Sequence, residues 1–175
     1  MHPSAPADQI LRDRRQWLRL FTAFGLAPAG ALATRPGPVE LSGSTPDGRR
    51  FRLSEQTGRV VLVFYWSTGC AVCRDKMGEL RANLAGWASQ PFTLIGVNVD
   101  SRLQDFLDHD TLVRQTIAPA RRFDSLWAGQ PGFIDTLGMP ARLPGACLID
   151  KQGRLVERYS GRVPAEAWDR IAELL

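Results

Sequence analysis

Cysteine, histidine and tyrosine are scarce in this chain, and long apolar runs are missing from it. Three cysteines are too few for a disulfide-stapled scaffold, and two histidines cannot build a His-rich metal site. No apolar stretch approaches the ~20 residues of a membrane-spanning helix, which excludes a polytopic membrane protein. Internal repeats and low-complexity tracts are also lacking. A strong charge is lacking too, once its distribution is considered. The net charge is +4 over 175 residues, but Arg12, Arg14, Arg15 and Arg19 fall in the first 33 residues against only Asp8 and Asp13. The remainder carries 18 basic and 16 acidic residues, a balance with no nucleic-acid footprint. What is present is a globular composition, 44% hydrophobic and 23% charged, at single-domain length.

Residues 1–33 read as an address. A basic cluster, Asp13-Arg14-Arg15-Gln16-Trp17-Leu18-Arg19, precedes a weakly apolar stretch from Leu20 to Leu32. That stretch ends in Ala31-Leu32-Ala33, a small-x-small cleavage pattern, and is too short and too broken by Gly25, Pro28 and Gly30 to span a membrane. Charge, apolar run and cleavage site come in the order of an export signal. The paired arginines resemble the twin-arginine signal, and a Sec signal can carry two arginines as well. The bland alternative is a basic amphipathic helix that stays on the protein. With cleavage the mature chain begins near Thr34, in an oxidising compartment such as the periplasm; an uncleaved signal would act as an anchor.

Arg35-Pro36-Gly37-Pro38 is an extended linker, because proline disfavours helix at its own position and at the one before. The domain proper is expected over 39–175. Val39–Leu41 and Arg50–Leu53 flank the turn-rich Ser44-Thr45-Pro46-Asp47-Gly48 and predict a β-hairpin. Val60–Trp66 is a seven-residue apolar run of the kind found in a central strand buried on both faces. Cys73, Met77, Leu80, Leu84 and Trp87 then recur at helical spacing, predicting a helix from about Cys70 to Ser89, halted by Pro91. Thr93–Val99 is a second buried strand, so the unit is a parallel crossover. Ser101 is placed to cap a helix carrying Leu103, Phe106 and Leu107. The next stretch predicts a short strand near Ala120–Phe123 and a short helix near Ile134–Leu137. Ala146–Ile149 and Leu155–Tyr159 form a hairpin around Lys151-Gln152-Gly153. A last helix shows Trp168, Ile171, Ala172 and Leu175 on one face, with Pro164 suited to its first turn.

The chemistry concentrates in Cys70-Ala71-Val72-Cys73. A zinc site would need two more ligands, and only Cys147 and the isolated His109 and His2 are left. A haem attachment site would need His where Arg74 stands, and a peroxiredoxin-type site would need Pro where Val63 stands. A strand that delivers Cys70 to the first turn of a helix offers its sulfur unpaired backbone N–H groups and the positive end of the dipole. Cys70 is then the exposed, thiolate-prone nucleophile and Cys73, one turn on, the shielded resolving thiol. The plain alternative is two buried structural cysteines.

The segment Val61–Arg74 resembles the active-site region of thioredoxin-fold proteins, and most closely the exported TlpA/ResA/DsbE-like thiol–disulfide oxidoreductases. The resemblance covers roughly residues 39–175. It implies an α/β thioredoxin-like fold: a central mixed sheet flanked by helices, an N-terminal β-hairpin and an insertion before the C-terminal β-hairpin. It also implies a cis-proline facing the CxxC, and Pro144, preceded by Leu143, is the matching position; Pro140 competes for it. Trp66, Leu143, Arg74 and Lys76 become candidates for supporting the site. Departures from the family pattern are Gly69 for the usual aromatic, Ala71 and Val72 for the usual proline, and Phe64 for a buried acid. Lys76 stands where ResA-like members have Glu, and Gly78 where the helix usually has a kinking proline. Arg74 and Lys76 would favour thiolate if they approach the sulfurs, while their ordinary reading is a solvated helix face. Cys147 is expected as a small buried hydrophobe, with a third redox thiol near Cys73 as the sharper alternative.

The resemblance implies a reductant acting on disulfide-bearing or dithiol proteins, fed by a membrane electron donor of the DsbD type, without cofactor, metal or nucleic acid. Candidate partners are an oxidised periplasmic protein, a cytochrome c maturation component or a copper-assembly factor. The reading from another class is a thioredoxin-fold chaperone or interaction module whose CxxC holds Cu(I).

Overall fold

The computed structural model describes residues Val39–Leu175. The expected export signal and linker lie outside the described residues. A five-stranded sheet runs in the order β5-β4-β3-β7-β8, and a three-stranded sheet in the order β2-β1-β6. The strands are β1 (Leu41–Ser44), β2 (Arg50–Arg52), β3 (Val60–Trp66), β4 (Phe92–Asn98), β5 (Asp124–Trp127), β6 (Ile134–Asp135), β7 (Gly145–Ile149) and β8 (Leu155–Ser160). Three helices, α1 (Ala71–Gly86), α2 (Leu103–Thr116) and α3 (Glu166–Leu174), complete the domain. This is the expected α/β thioredoxin-like architecture with a mixed central sheet and an N-terminal hairpin. The segment carrying α2, β5 and β6 precedes the β7–β8 hairpin.

β3 is central because every one of its seven residues is apolar and every one is buried. It pairs in parallel with β4, Val60 opposite Phe92 through Trp66 opposite Asn98, and antiparallel with β7, Val61 opposite Ile149 through Tyr65 opposite Gly145. The two-residue period of a strand sends Leu62, Phe64 and Trp66 to one face and Val61, Val63 and Tyr65 to the other. The first face packs against Cys73, Met77 and Leu80 of α1, Phe106 of α2 and Ile171 of α3. The second packs against Leu41, Leu53, Leu126 and Leu137 around the small sheet. Arg49 joins the two sheets at the surface, donating to Asp124 at 2.6 and 2.9 Å and to Asp47 at 3.0 Å.

Several local expectations are corrected. In place of a strand at Ala120–Phe123, a 3-10 turn occupies Pro119–Arg121, and β5 follows at Asp124–Trp127, pairing with Ile95–Asn98. Arg122 points back to the end of α2, donating to the carbonyls of Ile117 and Arg114, both at 2.6 Å. In place of a helix at Ile134–Leu137, β6 adds to β1. The carboxylate of Asp135 accepts from the backbone N–H groups of Leu137 and Gly138 at 2.8 and 3.2 Å, a local bond that competes with helix. Arg102, not Ser101, sits at the start of α2, without a side-chain cap. On α3 the buried line is Ala167 and Ile171, while Ala172 turns to solvent. α1 ends at Gly86, where Trp87 closes it by donating to the Asn83 carbonyl at 3.0 Å.

Gly96 of β4 marks the tightest packing of the first face. A Cβ built there would lie 2.9 Å from Trp66 Nε1 and closer still to Ser125 Oγ. Replacing Gly96 by Ala is expected to destabilise the protein by about 1–3 kcal/mol, the usual cost of overpacking. Urea denaturation, read as a lower midpoint with an unchanged slope, checks this.

Candidate active site

β3 ends at Trp66, and residues 67–69 turn the chain into α1. Cys70 occupies the N-cap with φ −83° and ψ 103°, and its sulfur accepts from the Cys73 backbone N–H at 3.1 Å. The helix start therefore offers a donor to whatever charge the sulfur carries. Cys70 and Cys73 are joined in a disulfide with Cα atoms 5.2 Å apart. Cys70 is half-buried beside the exposed Gly69, Ala71 and Val72, whereas Cys73 is fully enclosed in the core. The asymmetry agrees with an outer attacking sulfur and an inner resolving one.

The turn that carries Cys70 is held by a residue that sequence reasoning did not single out. Asp100, just past β4, accepts from the Thr68 backbone N–H at 3.0 and 3.2 Å and from the Asn98 side-chain amide at 2.8 Å. The Asp100 backbone N–H donates in return to Asn98 Oδ1 at 3.1 Å, and the Asp100 carbonyl accepts from Trp127 Nε1 at 2.8 Å. Asn98 is fully buried, so its amide is satisfied only inside this network. The available signal was two polar residues, Asn98 and Asp100, closing an apolar strand at the carboxyl end of a parallel pair, where α/β sheets place their sites.

The Leu143–Pro144 peptide is cis, in agreement with the matching position in the resemblance. Pro144 is buried, and β7 starts at the next residue, with Gly145 opposite Tyr65. Pro144 thus falls level with the end of β3 from which the cysteine turn departs. Pro140 has another place, packed where a Gly145 side chain would stand. Leu143 packs against both faces of the core.

Arg74 and Lys76 divide. Arg74 is exposed and donates back to the Thr68 carbonyl, bracing the cysteine turn from its other side. Lys76 departs from the expected solvated face, being only 4% exposed. Its ammonium donates to Glu79 at 2.7 Å and lies 5.8 Å from the centre of the Trp168 ring. Trp168 also donates its indole N–H to Glu79. Trp168 of α3 stands against the Lys76 ammonium, a neighbour the helix pattern alone could not show. Burial raises the Glu79 carboxyl pKa, but the Lys76 and Trp168 donors outweigh it and the net direction is down.

Cys147 is buried on β7, opposite Val63 and Arg158. It belongs to the second sheet face, with Val63 and Tyr65, whereas Cys73 belongs to the first. The sheet therefore separates it from the CxxC. Burial pushes the Cys147 thiol pKa up, although the Arg158 guanidinium, 3.4 Å from the sulfur, pulls the other way. Among the described residues no group of three or more His, Cys, Asp or Glu side chains is placed to hold a metal ion.

A CxxC disulfide that caps the helix following a central strand, with a proline level with that strand end, defines a thioredoxin-like domain. The AhpC/TSA family model matches residues 37–160, and the chain belongs to that family. Solved structures of similar fold include a Chlorobium tepidum protein assigned as the thiol:disulfide interchange protein DsbE, 24% identical, at a TM-score of 0.60 over 77% of this chain and 91% of that one. A DsbF homologue from Corynebacterium diphtheriae is 22% identical, with a TM-score of 0.59 over 78% and 85%. The exposed lipoprotein thioredoxin Etrx1 of Streptococcus pneumoniae is 19% identical, with a TM-score of 0.58 over 77% and 99%. The CxxC disulfide in this fold supports thiol–disulfide oxidoreductase activity.

Two outcomes follow for the side chains around the site. In the native oxidised protein no thiol should react rapidly with a disulfide reagent such as DTNB, and Cys147 should appear only on unfolding; a fast native signal from Cys147 would contradict its placement. Replacing Lys76 by Ala strips Glu79 and Trp168 of their shared partner and should cost about 2 kcal/mol, since Glu79 remains partly solvated. Denaturant titration of the oxidised protein measures it.

Proposed function

We propose that the protein is an exported thiol–disulfide oxidoreductase that exchanges disulfides with protein partners through Cys70 and Cys73. The observation that carries this is the Cys70–Cys73 disulfide itself, set at a strand end with one sulfur accessible and the other enclosed. In the reducing direction the Cys70 thiolate attacks a partner disulfide, and one partner sulfur leaves as thiolate. The Cys73 thiolate then attacks Cys70 Sγ, the second partner sulfur leaves, and the intramolecular disulfide forms. Two electrons pass from the dithiol to the partner, and the protein ends in the oxidised form.

The Cys73 N–H and the helix dipole favour charge on Cys70. Pro144, Leu143 and Trp66 line or support the site, and Arg74 and Asp100 hold the turn. Lys76 acts by fixing α3 on α1. Operation as a reductant rests on the resemblance to the TlpA/ResA/DsbE group and requires a dithiol donor, for which a DsbD-type membrane protein is the expected source. Export rests on the signal-like residues 1–33, with a mature chain from about Thr34 in the periplasm and oxidised proteins, cytochrome c maturation or copper-assembly factors as partners. None of the described helices is long and apolar enough to cross a membrane, which is compatible with that placement. The Cu(I)-binding alternative gains no added ligand, because Met77 is enclosed in the core and His109 lies against Trp66.

Insulin reduction by the full chain with dithiothreitol as donor tests the proposal. Cys70→Ser should abolish the catalysed rate, and Cys73→Ser should accumulate a mixed disulfide at Cys70. Stoichiometric Cu(I) binding without thiol-dependent turnover would sink the catalyst reading.

A further inference from the structure

Among the described residues, two buried side-chain nitrogens have no hydrogen-bond partner, Trp66 Nε1 and Arg81 Nε. Both residues line one cavity, formed between α1, α2 and the β4–β5 side of the sheet, together with His109, Asp110 and Ser125. The cavity has about 20 Å³ of room for a water-sized guest. Neither Cys70, Cys73 nor Pro144 lines it. Two unpartnered donors on residues that line the same small cavity call for an acceptor, because an unmet buried N–H costs about 1–3 kcal/mol.

The neighbours indicate what that acceptor is. Trp66 is 2% exposed, so its indole N–H cannot turn to solvent. Ser125 lines the same cavity, so a hydroxyl side chain borders it. The Arg81 guanidinium reaches only the Met77 sulfur at 3.7 Å and stands over the Phe123 ring, with no carboxylate among its partners. Burial, and after it the charge of Arg121, hold its pKa below the ordinary value. His109 stacks on Trp66 with ring centres 4.7 Å apart. The one carboxylate in the lining, Asp110, is already paired with Arg114 at 2.6 Å. A half-buried cation without a counter-charge, an indole N–H and a hydroxyl make a donor set whose charge favours an anion over water.

We infer that the cavity between α1, α2 and β4–β5 is a binding site for a monatomic halide, held by Trp66 Nε1, Arg81 Nε and Ser125 Oγ. A cavity with room for about one water-sized guest fits a monatomic ion, and sulfate serves as the larger-anion control. Trp66 is the last residue of β3 and Met77 and Arg81 lie on α1, so an ion there would tie together the two elements that meet at the cysteine turn. Trp66 is shared with the support of the cysteine turn, but neither cysteine lines the cavity, and ion binding does not depend on disulfide exchange.

The test titrates the oxidised full chain, in chloride-free buffer, with sodium bromide and separately with sodium sulfate at matched ionic strength. The readout is the Trp66 indole N–H resonance, assigned by its loss in Trp66→Phe. Bromide should shift it saturably at millimolar concentration and sulfate should not. Bromide anomalous scattering should place a peak within hydrogen-bond reach of Trp66 Nε1 and Arg81 Nε. Arg81→Gln should weaken bromide binding about tenfold or more, the loss expected for one charge-assisted donor. Ser125→Ala, which removes only a hydroxyl, should weaken it severalfold and decides the matter if Arg81→Gln does not fold. A shift that never saturates, an equal response to sulfate, or unchanged affinity in the folded variants would overturn the assignment and leave the cavity to water.

Discussion

The burial of β3 on both faces is the constraint on which the rest of the structure depends. Seven consecutive apolar side chains cannot be left half in water, so the strand demands a partner layer above and below and a neighbour on each edge. β4 and β7 supply the edges, the helices cover one face, and the small sheet covers the other. A strand so enclosed is rigid to its last residue, Trp66. The cysteine turn begins one residue later, on a fixed base.

Rigidity at the strand end does not by itself orient Cys70, and the polar network does the remainder. Asp100 is held by Asn98, grips the Thr68 N–H, and offers its carbonyl to Trp127, while Arg74 reaches back to Thr68 from the helix. Thr68 is thus gripped at its N–H from just beyond β4 and at its carbonyl from α1. The disulfide beyond it meets solvent on the Cys70 side and the core on the Cys73 side. Accessible and enclosed sulfurs one helical turn apart are the geometry that directional exchange requires.

Much of this was legible from the chain because the strongest signals were local. The seven-residue run of β3, the helical spacing of Cys73, Met77 and Leu80, and the turn at Lys151-Gln152-Gly153 each depend on short-range periodicity or turn chemistry. The weaker segments failed where long-range pairing overrode local preference. Ile134 and Asp135 became a strand only because β1 offered an open edge, a partner some ninety residues away in the chain. Asp124–Trp127 became a strand by pairing with β4, while Arg122 turned back to close α2. Lys76 carried a surface residue's identity into a buried position, where Trp168, far along the chain, stands beside its ammonium.

By itself the sequence determined the cysteine pair and its place between a buried strand and a helix, since both rest on residue type and spacing within one stretch, whereas Pro144 was reached only through the family resemblance. Tertiary structure alone decided that Asp100 holds the turn. It also decided that Cys147 lies across the sheet from Cys73, and that Trp66 and Arg81 leave two donors facing one cavity. The reason is the same in each case: burial and hydrogen-bond satisfaction are properties of what packs against a residue, and those neighbours come from distant parts of the chain.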